Sequence, residues 1–416
     1  MIFLIGIVFA KSQLTSKEIA NYETLIMIAG AVSFFWVSGI IQTFLPLYNN
    51  NKSLKNEKNQ TPKAIFNLFI LITAFSIIVA LIVYLSHSFF YNFVKEPSQL
   101  NFFDVFIWYI LLNNPTFIIE YILLIKNKNK QVIFYGFISY FLQFLFVVVP
   151  VLNGFSLFYS ILGLIIISIL RIIFLIILLV KYSVAQISKQ FILEHLKLAN
   201  PLILSLIISG SAQYIDGFII THKFSPDKFA IFRYGARELP FVSLLANAFS
   251  NAMLIDFKTK NNLQEILKQI KHKSKKLMNI LFPVTILLLI TSKWFYPLIF
   301  NINFTDSYKV FNVYLLLIIS RLVFPQTILI GLKKTKIIFT VSMIELIINI
   351  TLSLILVNYF GITGVAIATF IAFLVEKIIL IFLNYFKLKI LPKQYIYIPL
   401  LIIYSIITLF LYYYTL

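Results

Sequence analysis

The stretch FAIFRYGARELPFVSLLANAFSNAMLIDF, residues 229–257, decides the fold because it has the length of a membrane-spanning helix and carries charges near its start. Those charges belong to Arg233, Arg237 and Glu238. A charged side chain at the centre of a bilayer costs between about 2.5 and more than 10 kcal/mol, so such residues usually face a protein interior or a water-filled cavity. Arg233 and Arg237 are four residues apart, and on a helix they would share one face.

The composition of the whole chain is typical of a protein that crosses a membrane many times. Of its 416 residues, 60% are hydrophobic and 12% are charged, and the mean hydropathy is +0.94. A soluble domain would carry about twice that charged fraction. The apolar runs are continuous and about 20 residues long, which favours spanning helices over β-strands. The absence of cysteine excludes disulfides and thiolate metal sites.

Thirteen hydrophobic segments follow one another along the chain, separated by short loops. The first is half a span, because ten helical residues rise about 15 Å against a hydrocarbon core of about 30 Å. It lacks the basic start and the cleavage site of a signal peptide, so we interpret it as a truncated helix or one that rests partway across the bilayer. The segments are 1–10, 19–47, 64–86, 102–125, 131–152, 156–181, 198–222, 229–256, 277–299, 309–332, 337–359, 362–386 and 394–415.

The distribution of basic residues predicts the orientation. Loops after even-numbered segments, together with the segment ends beside them, hold 23 of the 35 lysines and arginines, whereas those after odd-numbered segments hold 7. Cytoplasmic loops collect basic residues, so this bias predicts a cytoplasmic N-terminus and an external C-terminus. The same rule accounts for the net charge of +20 without a nucleic-acid partner. The largest loop, about 257–276, has seven lysines and is predicted to be an amphipathic surface helix near anionic lipid head groups.

Two weak similarities predict an internal repeat. SKEIANYE (16–23) aligns with PDKFAIFR (226–233), and NGFSLFYSILG (153–163) resembles FGITGVAIATF (360–370), at offsets of 210 and about 207 residues. Both offsets span six segments, so the two halves have the same orientation in the membrane. We expect an N-terminal helical bundle at 1–181, a C-terminal bundle at 198–386, and an extra C-terminal helix at 387–416.

With these features the chain resembles the bacterial polysaccharide flippases of the multidrug/oligosaccharidyl-lipid/polysaccharide exporter superfamily. That family typically has a proline near the start of helix 7, an aspartate near its end, and a Gly-Ile-Tyr-like turn into helix 8. Pro201, Asp216 and Ala230–Phe232 stand in those places here, although Gly217 replaces a frequent arginine and Ala230 replaces the glycine. The resemblance implies two six-helix bundles around a central cavity, and transport of an undecaprenyl-pyrophosphate-linked oligosaccharide across the bacterial cytoplasmic membrane for surface polysaccharides such as O-antigen.

All four arginines lie inside predicted spans, whereas the loops use lysine only. A guanidinium is permanently charged and binds phosphate oxygens through two parallel hydrogen bonds, which suits a cavity that receives a pyrophosphate. We therefore take the arginines as candidate substrate-binding cations, with pairing to a buried acid as the alternative. They are Arg321, Arg233, Arg237 and Arg171.

The acids inside the spans are candidates for structural pairing or for proton coupling; they are Asp216, Glu120, Glu345 and Glu376. Asp216 is expected to pair with one arginine of the eighth segment. Glu376 and Lys377 should point about 100° apart on their helix, so that one faces the interior and the other faces a neighbour. Asn113–Pro115 should kink the fourth segment, with a hinge or a cavity lining as the second interpretation.

Other function classes receive little support from the sequence. There is no Gly-rich phosphate loop with a lysine, and the four histidines show no i, i+4 pair, so we expect neither a nucleotide cofactor nor a metal site. An enzyme such as a polysaccharide polymerase or ligase should carry a large outward loop, and the predicted outward loops are short. The alternatives are a drug or cation antiporter of the same superfamily and, less favoured, such an enzyme. The expected partners are the lipid-linked substrate, membrane lipid and polysaccharide-assembly enzymes.

Overall fold

Long apolar helices make up almost all of the computed structural model, which describes residues 1–53, 60–237, 240–259 and 262–415. Within those ranges, nine helices are long and apolar enough to cross a membrane, or ten if the bent pair Ser307–Arg321 and Pro325–Gly331 is one span. The predicted all-helical, multi-pass membrane fold is therefore confirmed. These described helices are fewer than the thirteen predicted segments, in part because Thr335–Leu388 contains two helices that meet at Gly361.

The chain divides into two compact units. The first unit comprises Met1–Ser211 and Thr221–Asp227, and the second comprises Ala212–Ile220 and Lys228–Leu416. The bundle boundaries expected from the sequence stay a prediction.

The first nine helices lie mainly in the first unit. They are α1 (Ile2–Lys11), α2 (Ser16–Ser53), α3 (Gln60–Leu85), α4 (His87–Phe93), α5 (Phe103–Thr116), α6 (Ile118–Ile125), α7 (Asn129–Leu152), α8 (Leu157–Tyr182) and α9 (Lys189–Lys223). The remaining helices lie mainly in the second unit. They are α10 (Pro226–Gly235), α11 (Pro240–Thr259), α12 (Leu263–Ile299), α13 (Ser307–Leu316), α14 (Ile318–Arg321), α15 (Pro325–Gly331), α16 (Thr335–Leu388), α17 (Pro392–Tyr395) and α18 (Ile398–Thr415).

Local geometry explains the difference in the number of spans. The predicted segments 337–359 and 362–386 both lie in α16, where Gly361 has φ 58° and ψ −140° and interrupts the helix. Only glycine adopts that conformation easily. The segment predicted at 229–256 is divided between α10 and α11, and α1 has only ten residues. The predicted surface helix at 257–276 is largely the first part of α12, which continues without a break to Ile299.

Aromatic and branched side chains fill the core of each unit. In the first unit, Trp36 is 1% exposed and stacks on Phe75 with ring centres 5.6 Å apart. In the second unit, buried Tyr234 packs between Phe300 and Phe304 at 4.8 and 4.6 Å. These clusters fix the helices that carry the polar side chains described below.

The two units share an order of local elements. In the first unit a 3₁₀ turn, Pro97–Leu100, precedes α5 and α6, which are separated at Phe117 just beyond the predicted kink. In the second unit a 3₁₀ turn, Ile302–Phe304, precedes the bent series α13 to α15. The turns that follow have left-handed residues at equivalent places, Asn127 (φ 56°) and Lys333 (φ 58°). The internal repeat expected from the sequence stays a prediction.

Candidate functional site

A buried arginine joins three helices of the first unit. Arg171 on α8 is 8% exposed and donates hydrogen bonds to α7 and α5. Its Nε bonds Ser139 Oγ at 2.7 Å, and its Nη2 bonds Gln143 Oε1 at 2.8 Å and the Ser139 carbonyl at 3.3 Å. Its Nη1 bonds Asn113 Oδ1 at 3.1 Å. We call these four residues the arginine cluster.

Close helix packing makes the arginine cluster possible. Gly163 lies eight residues before Arg171 on the same helix, and a Cβ atom added there would collide with the backbone carbonyl of Phe146 on α7. The absence of a side chain therefore lets α8 approach the backbone of α7. Arg171 can then reach the serine and glutamine of α7 while it still contacts Asn113 on α5.

The guanidinium of Arg171 is satisfied by neutral oxygens alone. None of its partners among the described residues is a carboxylate. The ring of Tyr140 lies 5.8 Å from the guanidinium carbon, which places an aromatic face near the charge. The arginine cluster thus holds a fixed positive charge in place without a carboxylate among its described hydrogen-bond partners. Such a group can attract an anion, because a guanidinium does not lose its proton when it is buried.

Arg233 and Arg237 do not share a helical face as the sequence led us to expect. Helix α10 ends at Gly235, and residues 236–237 leave the helix. Arg237 instead donates from Nε to the Arg233 carbonyl at 3.2 Å, and its guanidinium lies 5.3 Å from the ring centre of Tyr234. Both arginines are half-buried. Glu238, the acid next to them in the sequence, lies outside the described residues.

Arg321 is the last residue of the short helix α14 and is also half-buried. Its guanidinium carbon lies 4.8 Å from the ring centre of Phe373 on α16. That distance is typical of a cation–π contact, which stabilises a cation that has lost part of its water shell. Arg321, Arg233 and Arg237 belong to the second unit, whereas Arg171 belongs to the first.

A buried aspartate is the centre of a polar network in the second unit. Asp216 on α9 is 1% exposed, and its Oδ2 accepts hydrogen bonds from Thr369 Oγ1 at 2.5 Å and Tyr314 Oη at 3.3 Å. Asn349 Nδ2 donates to the same threonine oxygen at 3.0 Å. We call Asp216, Tyr314, Asn349 and Thr369 the aspartate cluster. The expected pairing of Asp216 with an arginine is wrong, because its hydrogen-bond partners are hydroxyl groups.

Several buried oxygens in the aspartate cluster and beside it have no hydrogen-bond partner among the described residues. Asp216 Oδ1, Asn349 Oδ1 and the nearby Ser353 Oγ are buried and accept no hydrogen bond from the described part of the chain. Buried polar atoms without partners are rare, and each requires an explanation. Carboxylate, amide and hydroxyl oxygens are suited to binding a proton or a hard cation. Across the described ranges, no group of three or more His, Cys, Asp and Glu side chains is arranged to hold a metal ion.

A buried ion pair lies on the same long helix. Lys377 Nζ lies 2.9 Å from Glu376 Oε2 and donates at 3.3 Å to Gln326 Oε1. These neighbours were expected to diverge along the helix, but the long lysine side chain bends back to the adjacent carboxylate. Glu345, which is 5% exposed, is close enough to interact electrostatically with Glu376 and Asp216. Three acids are therefore concentrated in the second unit.

Glu120 takes part in neither cluster. It is half-buried on α6 and makes no hydrogen bond or ion pair with any described residue. The structure thus supplies no pairing partner for this acid.

A comparison with known protein families identifies the family of this chain. Residues 14–309 match the family described as "Polysaccharide biosynthesis protein". The chain belongs to this family. A search of curated protein sequences found no match.

This polysaccharide biosynthesis protein has the fold of known transporters. The lipid II flippase MurJ in its inward closed conformation is similar with a TM-score of 0.73 and 18% identity, covering 99% of this chain and 95% of that one. An inward-facing multidrug resistance MATE transporter of the MOP superfamily has a TM-score of 0.69 and 12% identity, covering 93% and 94%. The MATE transporter DinF-BH, solved with R6G, has a TM-score of 0.61 and 16% identity, covering 92% and 90%. At these identities the similarity establishes the fold alone.

The sequence did not lead us to most of the hydrogen-bond partners of Arg171 and Asp216 in this polysaccharide biosynthesis protein. Asn113 was predicted to contribute first to a kink and second to a hinge or cavity lining, and Ser139 and Gln143 were not singled out. Serine and glutamine inside the apolar α7 were the available signal, because polar residues in a span usually face another helix. The same signal applies to Asn349 and Thr369 on α16.

Proposed function

We propose that this protein is a flippase that moves a lipid-linked oligosaccharide, carried on undecaprenyl pyrophosphate, across the bacterial cytoplasmic membrane by alternating access. The observation that carries the proposal is the similarity of nearly the whole chain to a lipid II flippase, in a member of a polysaccharide biosynthesis family. The product would be used by the polysaccharide-assembly enzymes on the outer side, and the N-terminus would face the cytoplasm.

The arginines have the chemistry that this substrate requires. A pyrophosphate must leave water to cross the membrane, and fixed cations lower the cost of that step. Arg171 supports this role most strongly, because its hydrogen bonds go to neutral groups and its charge stays available to an anion. Arg321, Arg233 and Arg237 supply half-buried cations in the second unit. In this proposal they hold the phosphates at different stages of the transport cycle.

The acids of the second unit would couple transport to an ion or proton gradient. Asp216 is the leading candidate, because one of its carboxylate oxygens is buried and has no partner among the described residues. Glu345 is close enough to interact electrostatically with both Asp216 and Glu376, whereas Glu120 remains a separate candidate in the first unit. A coupling role requires a group that changes its charge during the cycle, which a permanently paired acid would not do.

A second candidate is an antiporter of drugs or organic cations. The aspartate cluster favours it, since a buried acid without an arginine partner is suited to a cation. The similarity to a MATE transporter solved with R6G also favours it. A polymerase or ligase is the least supported alternative, because the fold is that of transporters.

Complementation of a deletion strain tests the proposal. Arg171→Gln and Arg321→Gln should each reduce surface polysaccharide at least about tenfold, while lipid-linked precursor accumulates on the inner side of the membrane and protein levels stay normal. Lys130→Gln, which removes an exposed charge at the start of α7, is the matched control and should restore normal export. Normal export in both arginine variants would overturn the proposed role of these cations. Drug resistance on overexpression, without an effect on surface polysaccharide, would favour the antiporter.

A further inference from the structure

Three lysines converge on one tyrosine where α6 and α8 end. Tyr182 is the last residue of α8, and Lys181 precedes it. The ammonium nitrogens of Lys126, Lys128 and Lys181 lie 5.5, 5.8 and 5.6 Å from the centre of the Tyr182 ring. We call these four residues the lysine–tyrosine cluster. All of them belong to the first unit.

The backbone fixes two of these lysines in place. After α6 the chain makes a tight turn with Asn127 in the left-handed region, at φ 56°. The Asn127 amide donates to the Leu124 carbonyl at 2.9 Å, and the Lys128 amide donates to the Leu123 carbonyl at 2.9 Å. This pair of hydrogen bonds defines a Schellman turn, which closes the end of a helix in a defined conformation. The turn therefore holds Lys126 and Lys128 near the same ring, rather than leaving them on a free loop.

The positive charge of the lysine–tyrosine cluster is not balanced within the chain. No carboxylate lies within ion-pair distance of Lys126, Lys128 or Lys181 among the described residues. Three like charges within about 6 Å of one point repel one another, and an anion between them would remove that repulsion. The tyrosine ring attracts the ammonium groups, and its hydroxyl is a hydrogen-bond donor for an anion.

The second unit contains a natural comparison. The turn after α15 has Lys333 in the left-handed region at φ 58°, with amide hydrogen bonds from Lys333 to Ile330 and from Lys334 to Leu329 at 2.9 and 2.8 Å. Lys333, Lys334 and Lys336 are exposed there. Within the described chain, none of these three lysines lies over an aromatic ring. The same type of turn therefore occurs with three exposed lysines and without a tyrosine at its centre.

We propose that the lysine–tyrosine cluster is a binding site for the phosphate group of a membrane lipid. The cluster lies at the ends of predicted spans, on the side that the distribution of lysines assigns to the cytoplasm, where head-group phosphates are within reach. The ligand is a phosphodiester if it comes from an anionic phospholipid, and a diphosphate if it comes from a polyprenyl carrier. The proposal rests on the geometry of the cluster and not on the proposed transport function, although a diphosphate ligand would share the head group of the proposed substrate.

Native mass spectrometry of the full-length protein in detergent tests the proposal with two probes, phosphatidylglycerol and a polyprenyl diphosphate. The test variant is Lys126→Gln/Lys128→Gln/Lys181→Gln. The matched control is Lys333→Gln/Lys334→Gln/Lys336→Gln, which removes the same charge from the equivalent turn. The test variant should bind one or both probes about tenfold or more weakly, because a lysine near a lipid phosphate contributes measurably to binding. The control should bind as the wild type does.

The probes identify the source of the phosphate. Weaker binding of phosphatidylglycerol alone assigns the site to bulk lipid, and weaker binding of the diphosphate alone assigns it to the carrier; each outcome supports the site. Equal weakening of lipid binding in the test and control variants would show a general effect of charge and would overturn the proposed site. Unchanged binding in the test variant would also overturn it. Tyr182→Phe keeps the ring and removes the hydroxyl, and an intermediate affinity in this variant supports a hydrogen bond to the phosphate.

Discussion

Replacement of Arg171 with methionine separates a functional role from a structural one. Methionine has a similar length and flexibility but lacks both the charge and the donors. The change removes four hydrogen bonds, to Ser139 Oγ, the Ser139 carbonyl, Gln143 Oε1 and Asn113 Oδ1. Interhelical hydrogen bonds in membrane proteins contribute about 0.6 kcal/mol each on average, so the four together contribute about 2.4 kcal/mol.

The cost of keeping a charged side chain inside the membrane nearly cancels this loss of hydrogen-bond energy. Keeping a guanidinium inside a span costs about 2.5 to 3.5 kcal/mol on the insertion scale, and methionine removes that cost. We therefore expect the free energy of unfolding to change by no more than about 1 kcal/mol, which corresponds to a shift in Tm of less than about 4 °C. Export should nevertheless be lost, because the fixed charge has gone. Thermal unfolding of the purified variant and surface polysaccharide in the complemented strain measure the two effects.

Two results would refute this reasoning. A fall in Tm of more than about 10 °C, with normal export per folded molecule, would make Arg171 a structural element that joins three helices. Normal export without any change in Tm would make it dispensable. Arg171→Lys provides the control for charge, because it keeps the cation and loses part of the hydrogen-bond geometry; partial export in this variant supports the role of the charge.

Further predictions concern packing, coupling and ion pairing. Gly163→Ala should lower the free energy of unfolding by about 1 to 3 kcal/mol in thermal unfolding, because the new methyl group meets the carbonyl of Phe146; an unchanged Tm would refute the close packing. Asp216→Asn keeps the shape of the side chain and should abolish the dependence of transport on an imposed ion or proton gradient; unchanged gradient dependence would exclude this residue from coupling. Glu376→Gln should destabilise the second unit by about 3 kcal/mol through the unpaired lysine, and Glu376→Gln/Lys377→Met should recover most of that loss; additive losses would show that the pair does not interact.

The class of fold was predictable because long apolar runs leave few alternatives in a bilayer. Interruptions of helices were harder to predict. Asn113–Pro115 indicated the break near Phe117, since proline removes a backbone donor. Gly361 gave a weaker signal, because a glycine inside an apolar run is also compatible with a straight helix. The break after Gly235 was missed, and the hydrophobic pattern around it gave no reason to place one there.

The identity of the polar residues was predictable, whereas their partners were not. Arg171 and Asp216 stood out because charged groups are rare in spans. Their hydrogen-bond partners are far away in the sequence: Ser139 lies 32 residues from Arg171, and Thr369 lies 153 residues from Asp216. Such pairs depend on which helices pack together, and hydrophobic periodicity does not determine that. The Glu376–Lys377 pair was missed for a different reason, since helical geometry describes where Cβ atoms point and not how far a lysine can bend.

The most direct test of the proposed function is transport by the purified protein in liposomes. A fluorescent undecaprenyl-pyrophosphate-linked oligosaccharide is placed in both leaflets, and a membrane-impermeant reagent destroys the label on the outside. The proposed function predicts loss of nearly all the label with the wild-type protein, because molecules from the inner leaflet keep reaching the outside, and loss of about half with Arg171→Met. Protection of half the label by the wild-type protein, equal to that in protein-free liposomes, would contradict the assignment as a flippase.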